Sequence, residues 1–205
     1  MKIKETYIDE WLFFESTFIK EIPTFVEIGS ITANHAKGIK KKYKDSKMII
    51  YEASKKNFDT LKNNVENSDI IIHNKGISDK KELRNFYDFQ SPSSASIYKR
   101  GNRRILNSSK IDFITVDDIL NENKIDYIDV LFMNCEGSEL VILDSILENK
   151  EIQNKIGQIS LSFHPQIYGT EKIKKMMRKI TTHNYYSHTN KKKWPCTLIF
   201  KKQSI

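Results

Sequence analysis

The sequence predicts an α/β protein with a mostly parallel sheet and helices on both faces. Short apolar runs of strand length alternate with amphipathic stretches at helical spacing along most of the chain, the pattern of a parallel sheet covered on both sides. One run, Thr24-Phe-Val-Glu27-Ile28, ends on Gly29 and leads through small polar residues into a helical pattern, the outline of a strand-turn-helix nucleotide site. The last two runs are joined by a basic segment with Trp194-Pro195, as in a hairpin that makes one edge antiparallel. Gly29 suits a sharp turn close to a ligand, because a residue without Cβ tolerates positive φ.

Composition sets limits around this frame. The 205 residues, with 39% hydrophobic and 11% aromatic content, suit one core. No run approaches the roughly 20 apolar residues of a membrane helix, and charges interrupt the first ten positions where a signal peptide would be apolar. A cytoplasmic protein without a membrane span is the expectation. Cys135 and Cys196 lie far apart without CxxC spacing, so neither a disulfide framework nor a zinc site is expected. The net charge of +8 comes almost wholly from lysine. A lysine coat is a solvated surface before it is a nucleic-acid footprint. Arginine is more selective, and Arg100, Arg103 and Arg104 cluster.

In chain order, Tyr7, Ile8, Trp11, Leu12, Phe18, Ile19 and Ile22 stand at helical spacing before Pro23, which predicts an amphipathic helix within an N-terminal extension over 1–23. Residues 24–205 form the main unit of a single domain. After the first strand, Ala36, Ile39 and Tyr43 line one helix face and lysines the other. Residues 47–52 read as the second strand, ending on Glu52, near the offset from a glycine turn at which an acid binds ribose hydroxyls. A helix carrying Phe58, Leu61 and Val65 follows, then a strand over 69–73 and a loop at Gly76 and Ile77 on the same sheet edge. A short strand over 81–89 precedes residues 90–109, which read as a long surface loop carrying Ser94 and the arginines. Thr115 and Asp118 have capping-box spacing. Residues 127–134 and 158–164 read as buried strands, followed by helices bearing Leu140 to Leu147 and Ile173 to Ile180.

The run Ile125-Asp-Tyr-Ile-Asp-Val-Leu-Phe-Met-Asn-Cys-Glu-Gly-Ser-Glu-Leu-Val-Ile-Leu143, preceded by Ile114-Thr-Val-Asp-Asp-Ile-Leu120, resembles the central signature of FkbM-type methyltransferases. Phe25-Val-Glu-Ile-Gly29, Tyr51-Glu-Ala-Ser-Lys-Lys-Asn-Phe58 and Asn74-Lys-Gly-Ile-Ser-Asp79 fall where that family has its glycine motif, ribose-binding acid and adenine-side loop. The resemblance implies a Rossmann-like class I methyltransferase fold with a seven-stranded sheet, S-adenosylmethionine as cofactor, and methyl transfer to a hydroxyl of a sugar or glycan, as in polysaccharide biosynthesis. It implies Glu27, Gly29 and Ser30 at the methionine end, Glu52 and Ala53 at the ribose, Gly76 and Ile77 at the base, and Asn134 at the reacting end. The chain departs from the pattern at Ala33 (usually glycine), Phe132 (usually lysine), Asn134 (usually aspartate) and Ser162 (often an acid). An amide is neither a carboxylate base nor an anionic metal ligand, so no metal is expected.

A hydroxyl needs a base to take its proton. His164, at the carboxyl end of the fifth strand, is the candidate beside Asn134, the alternative being a partly buried histidine next to Pro165. Glu136 and Glu139 open a helix, where acids serve its dipole, and are read as structural. Ser94, Arg100, Arg103 and Arg104 are candidate acceptor contacts, because guanidinium groups grip phosphate and carboxylate bidentately; an anionic sugar is the acceptor expected. A nucleic-acid partner is not expected, a homodimer is left open, and the readings held beside the enzyme are a catalytically inactive scaffold and a nucleic-acid methyltransferase.

Overall fold

The computed structural model describes residues 5–7, 13–91, 95–99, 103–189 and 196–201. Its centre is strand β3 (Thr24–Ile28), with β4 (Lys47–Tyr51) and β5 (Ile71–His73) parallel on one side and β9 (Ile128–Met133) and β10 (Ile156–Ser162) parallel on the other. Beyond β10, strands β11 (Tyr185–Thr189) and β12 (Cys196–Lys201) close the sheet as a hairpin, with β12 antiparallel to both neighbours. The seven strands run in the order β11-β12-β10-β9-β3-β4-β5.

Side chains alternate across this sheet and fill two cores. Val26, Ile28, Tyr51, Leu131 and Met133 point to one face, under α3 (Val116–Asn123), α4 (Glu139–Glu148) and α7 (Thr170–Thr182). Phe25, Met48, Ile50, Val130 and Phe132 point to the other, under α1 (Asn34–Lys42) and α2 (Lys55–Val65). Central strands buried on both faces read as continuous apolar runs, which is why they stood out in the sequence. The Thr115–Asp118 capping box opens α3 as expected. Two short helices, α5 (Lys150–Asn154) and α6 (Pro165–Tyr168), flank β10.

The leading segment corrects the sequence reading. Where a helix was predicted, the described residues form β1 (Glu5–Tyr7), antiparallel to β2 (Phe13–Glu15), and a 3-10 turn over Ser16–Phe18; Ile8, Trp11 and Leu12 lie outside the described residues. The backbone of β2 bonds to side chains of the sheet beneath it instead of to its own next turn. Gln158 accepts from Glu15 N at 2.8 Å through Oε1 and donates to Glu15 O at 2.8 Å through Nε2, and Ser160 Oγ accepts from Phe13 N at 3.3 Å. Asp129 Oδ2 accepts from Thr24 N at 2.8 Å. Phe14 then packs on Phe25 and Phe132, with ring centroids 5.7 and 6.1 Å away. Phe132 therefore serves the core under this strap, where a lysine ammonium would be desolvated.

A second correction concerns residues 90–109. Only part of that stretch is loop: β8 (Ile105–Ile114) begins inside it and pairs antiparallel with β7 (Glu82–Phe89) and parallel with β6 (Gly76–Ile77). These three strands make a small sheet over the carboxyl end of the main one. Ser54 Oγ donates to Asp88 Oδ1 at 2.6 Å and ties that sheet to the start of α2.

Gln158→Leu leaves the buried N–H and C=O of Glu15 without their partner, and a buried polar group stripped of its hydrogen bond costs about 1–3 kcal/mol. Urea denaturation of the variant is expected to show a loss of that size, and an unchanged midpoint would mean that the strap contributes nothing to stability.

Candidate active site

The carboxyl ends of β3, β4 and β9 surround one cavity of about 280 Å³. Its geometry starts at Gly29. With φ at +85° the chain turns sharply after β3, and a Cβ there would lie 2.3 Å from Asn134 O. Gly29 N donates to Tyr51 O at 2.8 Å and Asn134 N donates to Ile28 O at 3.0 Å, so three strand ends are stitched together at the turn. Ala33, just before α1, has φ of 57°. The family's second glycine would sit in this left-handed conformation without strain, whereas alanine bears a cost of roughly 1 kcal/mol.

Two buried carboxylates face this cavity. Glu52 accepts from Ser30 N at 3.0 Å and from Ser54 N at 2.7 Å, one amide on each oxygen. Burial pushes Glu52 up to about 8, against the opposing pull of the Ser54 and Ser30 amides. Glu27, on the neighbouring strand, is 1% exposed. His35 Nδ1 donates to its Oε1 at 2.9 Å, while its Oε2 is buried without a hydrogen-bond partner. Buried polar atoms in proteins are nearly always satisfied, so an unpartnered carboxylate oxygen on a cavity wall has the form of a vacant half of an interaction.

All eight residues singled out for the cofactor, Glu27, Gly29, Ser30, Glu52, Ala53, Gly76, Ile77 and Asn134, lie on the wall of this cavity. Gly76 allows a close approach there, since a Cβ would lie 2.3 Å from the Phe113 ring. His164 is not on the wall. It is 6% exposed, with Nδ1 donating to Glu139 Oε1 at 2.8 Å and Nε2 donating to Glu136 Oε1 at 3.0 Å. Burial alone would lower its pKa, but the two carboxylates outweigh that and raise it to about 9. At neutral pH His164 is thus an imidazolium with both nitrogens engaged, a poor proton acceptor. Arg103 and Arg104 are exposed ahead of β8 and do not line the cavity, while Ser94 and Arg100 lie outside the described residues.

The wall also contains residues that the sequence reading did not place in the site. Phe86 and Phe113 come from the small sheet, Ala95 from the segment after β7, and Glu136 from the turn into α4. Glu139 does have the structural role expected: fully buried, it accepts from Cys135 N at 3.0 Å and Gly137 N at 2.9 Å. Glu136 differs, with φ of 53° and a place on the cavity wall. Gly137 beside it was the available signal of a turn. Among the described residues no group of three His, Cys, Asp or Glu side chains is arranged to hold a metal ion, and no helix is long and apolar enough to cross a membrane.

The parallel sheet with its antiparallel hairpin, the glycine turn after β3 and the acid ending β4 define a class I methyltransferase. The Methyltransferase FkbM domain family matches residues 30–186, and the chain belongs to that family. It is an S-adenosylmethionine-dependent methyltransferase. Similar folds occur in the METTL16 MTase domain, at 10% identity and a TM-score of 0.51, covering 88% of this chain and 60% of that one. They occur also in the precorrin-6y C5,15-methyltransferase of Geobacter metallireducens, at 11% identity and a TM-score of 0.49, covering 88% and 81%. An O-methyltransferase from Bacillus cereus in complex with SAH is similar at 11% identity and a TM-score of 0.49, covering 89% and 75%. No curated protein matches the sequence.

The raised pKa of Glu52 has a definite sign. The folded protein holds that proton more tightly than the unfolded chain does, so stability is lost as pH rises from the ordinary value of 4.5 through about 8. Glu52→Gln removes this loss. The difference in Tm, wild type minus variant, is expected to fall between pH 5 and pH 9; a constant difference would place Glu52 in a less buried setting. Gly29→Ala is expected to cost about 3 kcal/mol from left-handed backbone and overpacking together, read by denaturant unfolding, and a loss under about 1 kcal/mol would contradict the close crossing at Asn134.

Proposed function

We propose that this methyltransferase transfers the methyl group of S-adenosylmethionine to a hydroxyl of a sugar or glycan acceptor, in polysaccharide biosynthesis. The observation that carries the cofactor side is the pair of buried carboxylates at the ends of β3 and β4, one of them with an unpartnered oxygen. Glu27 Oε2 suits the ammonium group of the methionine moiety. Glu52, at the end of β4 on the cavity wall, suits the ribose diol. Gly76, Ile77 and Phe113 provide an apolar stretch of the wall for the adenine. When bound, the cofactor supplies an electrophilic methyl group on a positively charged sulfur.

The chain's own contribution is to hold both partners in line and keep water out, because alignment lowers the barrier of a displacement without covalent help from the protein. Asn134, rigid through its backbone bond to Ile28, supplies an amide that can hydrogen-bond the acceptor at the strand end. The acceptor enters beside the segment after β7, where Ala95 reaches the cavity wall. Arg103 and Arg104 stand at the same end of the β7–β8 pair, near the Phe89 and Ile105 pairing, and favour an acidic or phosphorylated sugar.

Calorimetric titration tests the cofactor site. Wild-type protein is expected to bind S-adenosylmethionine at micromolar Kd, and Glu27→Gln to bind at least tenfold more weakly; equal affinity would remove Glu27 from the site. Transfer of labelled methyl to uronic acid glycosides, compared with neutral glycosides, tests the acceptor. The Arg103→Ala/Arg104→Ala double variant is expected to raise KM for the acidic acceptor several-fold with cofactor Kd unchanged, and an unaltered KM would discard the anionic preference.

A further inference from the structure

Resting on that reading of the acceptor, we propose that the Tyr98 ring is a stacking platform for a second sugar unit, joined to the one that receives the methyl group. The acceptor is then a glycan of two or more units and not a free monosaccharide.

Tyr98 stands beside the turn that follows β9. Of residues 134–138, Asn134, Cys135, Glu136 and Ser138 are on the cavity wall and Gly137 is not. The Tyr98 ring packs at Gly137: a Cβ added there would lie 2.9 Å from Tyr98 Cδ2, 3.0 Å from Tyr98 Cε2 and 3.1 Å from Ile167 Cγ2. The ring therefore borders the wall without belonging to it. Asn134, the residue placed next to the acceptor, begins this same turn, and Ala95, three residues before Tyr98, is itself on the wall.

The backbone that carries this ring is tied down on both sides of it. Ser96 N donates to Tyr87 O at 3.0 Å, and Tyr87 N donates to Ser96 O at 2.9 Å, which anchors the segment to β7. Ser96 Oγ donates to Glu136 O at 2.7 Å and accepts from Tyr98 N at 3.1 Å, so one hydroxyl links Tyr98 to the cavity turn. On the other side, the Lys99 ammonium lies 5.6 Å from the centroid of the Tyr87 ring. Tyr98 is nevertheless 41% exposed. An aromatic ring gains by leaving water, so a fixed ring left partly open is surface ready for a ligand. Leu83 and Leu106, on the β7–β8 pair, are exposed as well, but neither is on the wall.

A pyranose fits such a ring. One face of the sugar presents C–H groups that the neighbouring oxygens make slightly positive, and the face of an aromatic ring is its negative side. The phenol hydroxyl both donates and accepts, so it can bond a sugar hydroxyl at the edge of the stack. A ring held in place beforehand loses little freedom on binding. The cavity of about 280 Å³ must also admit the cofactor, and Tyr98 is off its wall, so a sugar on this ring lies outside the cavity. It is the neighbour of the unit whose hydroxyl is inside. Tyr98 makes and breaks no bond; it holds the glycan so that the reacting hydroxyl stays in line with the methyl group.

The test compares acceptors that differ by one sugar unit, using the full-length protein: methyl glucoside and methyl glucuronide against methyl cellobioside and methyl cellobiouronide. Wild type is expected to show a kcat/KM at least tenfold higher for the disaccharide of the better pair. In Tyr98→Ala that ratio should drop at least fivefold, mainly through KM, with the S-adenosylmethionine Kd within threefold of wild type to verify folding. Tyr98→Phe, which keeps the ring, should retain most of the ratio. A ring that served only to pack Gly137 would lower both kcat/KM values together and leave the ratio as it was. A ratio near one in wild type, a ratio unchanged in Tyr98→Ala, or one lost equally in Tyr98→Phe overturns the platform. Should Tyr98→Ala fail to fold, wild type labelled with 13C-tyrosine answers instead: the Tyr98 ring signal, assigned with Tyr98→Phe, is expected to move when the disaccharide is added to protein holding S-adenosylhomocysteine, and a signal that stays still overturns the proposal. Wild type that binds cofactor and methylates none of the four sugars overturns the sugar reading itself, and the platform falls with it.

Discussion

The structure depends on one close crossing. At the end of β3 the backbone of Gly29 lies against the carbonyl of Asn134 with no room for a side chain between them. That contact brings the ends of β3 and β9 together, and the bond from Gly29 N to Tyr51 O adds β4 to the same point. Glu27, Glu52, Asn134 and Glu136 all hang from these three ends. Small shifts there would move every charged group of the cavity, so the site's order follows from the packing of the sheet and not from loop chemistry.

Burying this many acids at one end of a sheet sets stability against function. Glu52 loses hydration and recovers only part of it from the Ser54 and Ser30 amides and the Asn57 side chain, which is why it holds its proton so high. His164 carries the opposite sign: its pKa of about 9 lies above the ordinary 6.5, so it contributes stability that is complete below about pH 6.5 and is lost as pH rises through about 9. The two groups act in the same alkaline direction. Through these two groups the site is therefore held together better at mildly acidic pH than at neutral or alkaline pH.

Much of this was legible in the sequence where one residue pattern had one physical solution. Central strands such as Val26 to Ile28 and Val130 to Phe132 are buried on both faces, and the glycine and acid at their ends have few other uses. The leading segment was misread because Tyr7, Phe18, Ile19 and Ile22 stand at helical spacing; what keeps Phe13 to Glu15 extended is Gln158 and Ser160, residues more than a hundred positions away. The first half of β8, Ile105 to Lys110, is largely exposed and has no alternating apolar face, so only its pairing with β7 makes it a strand. Glu136 escaped for a different reason. An acid before a helix is ordinary, and its left-handed backbone and its place on the cavity wall exist only in three dimensions.

The most direct measurement of the central claim is a crystal structure of the protein with S-adenosylhomocysteine. The account predicts the ribose hydroxyls on the Glu52 carboxylate, the amino group on Glu27 Oε2 and the sulfur facing Asn134 and Glu136. A ligand seated elsewhere, or one that leaves Glu27 Oε2 and Glu52 without contact, would contradict it.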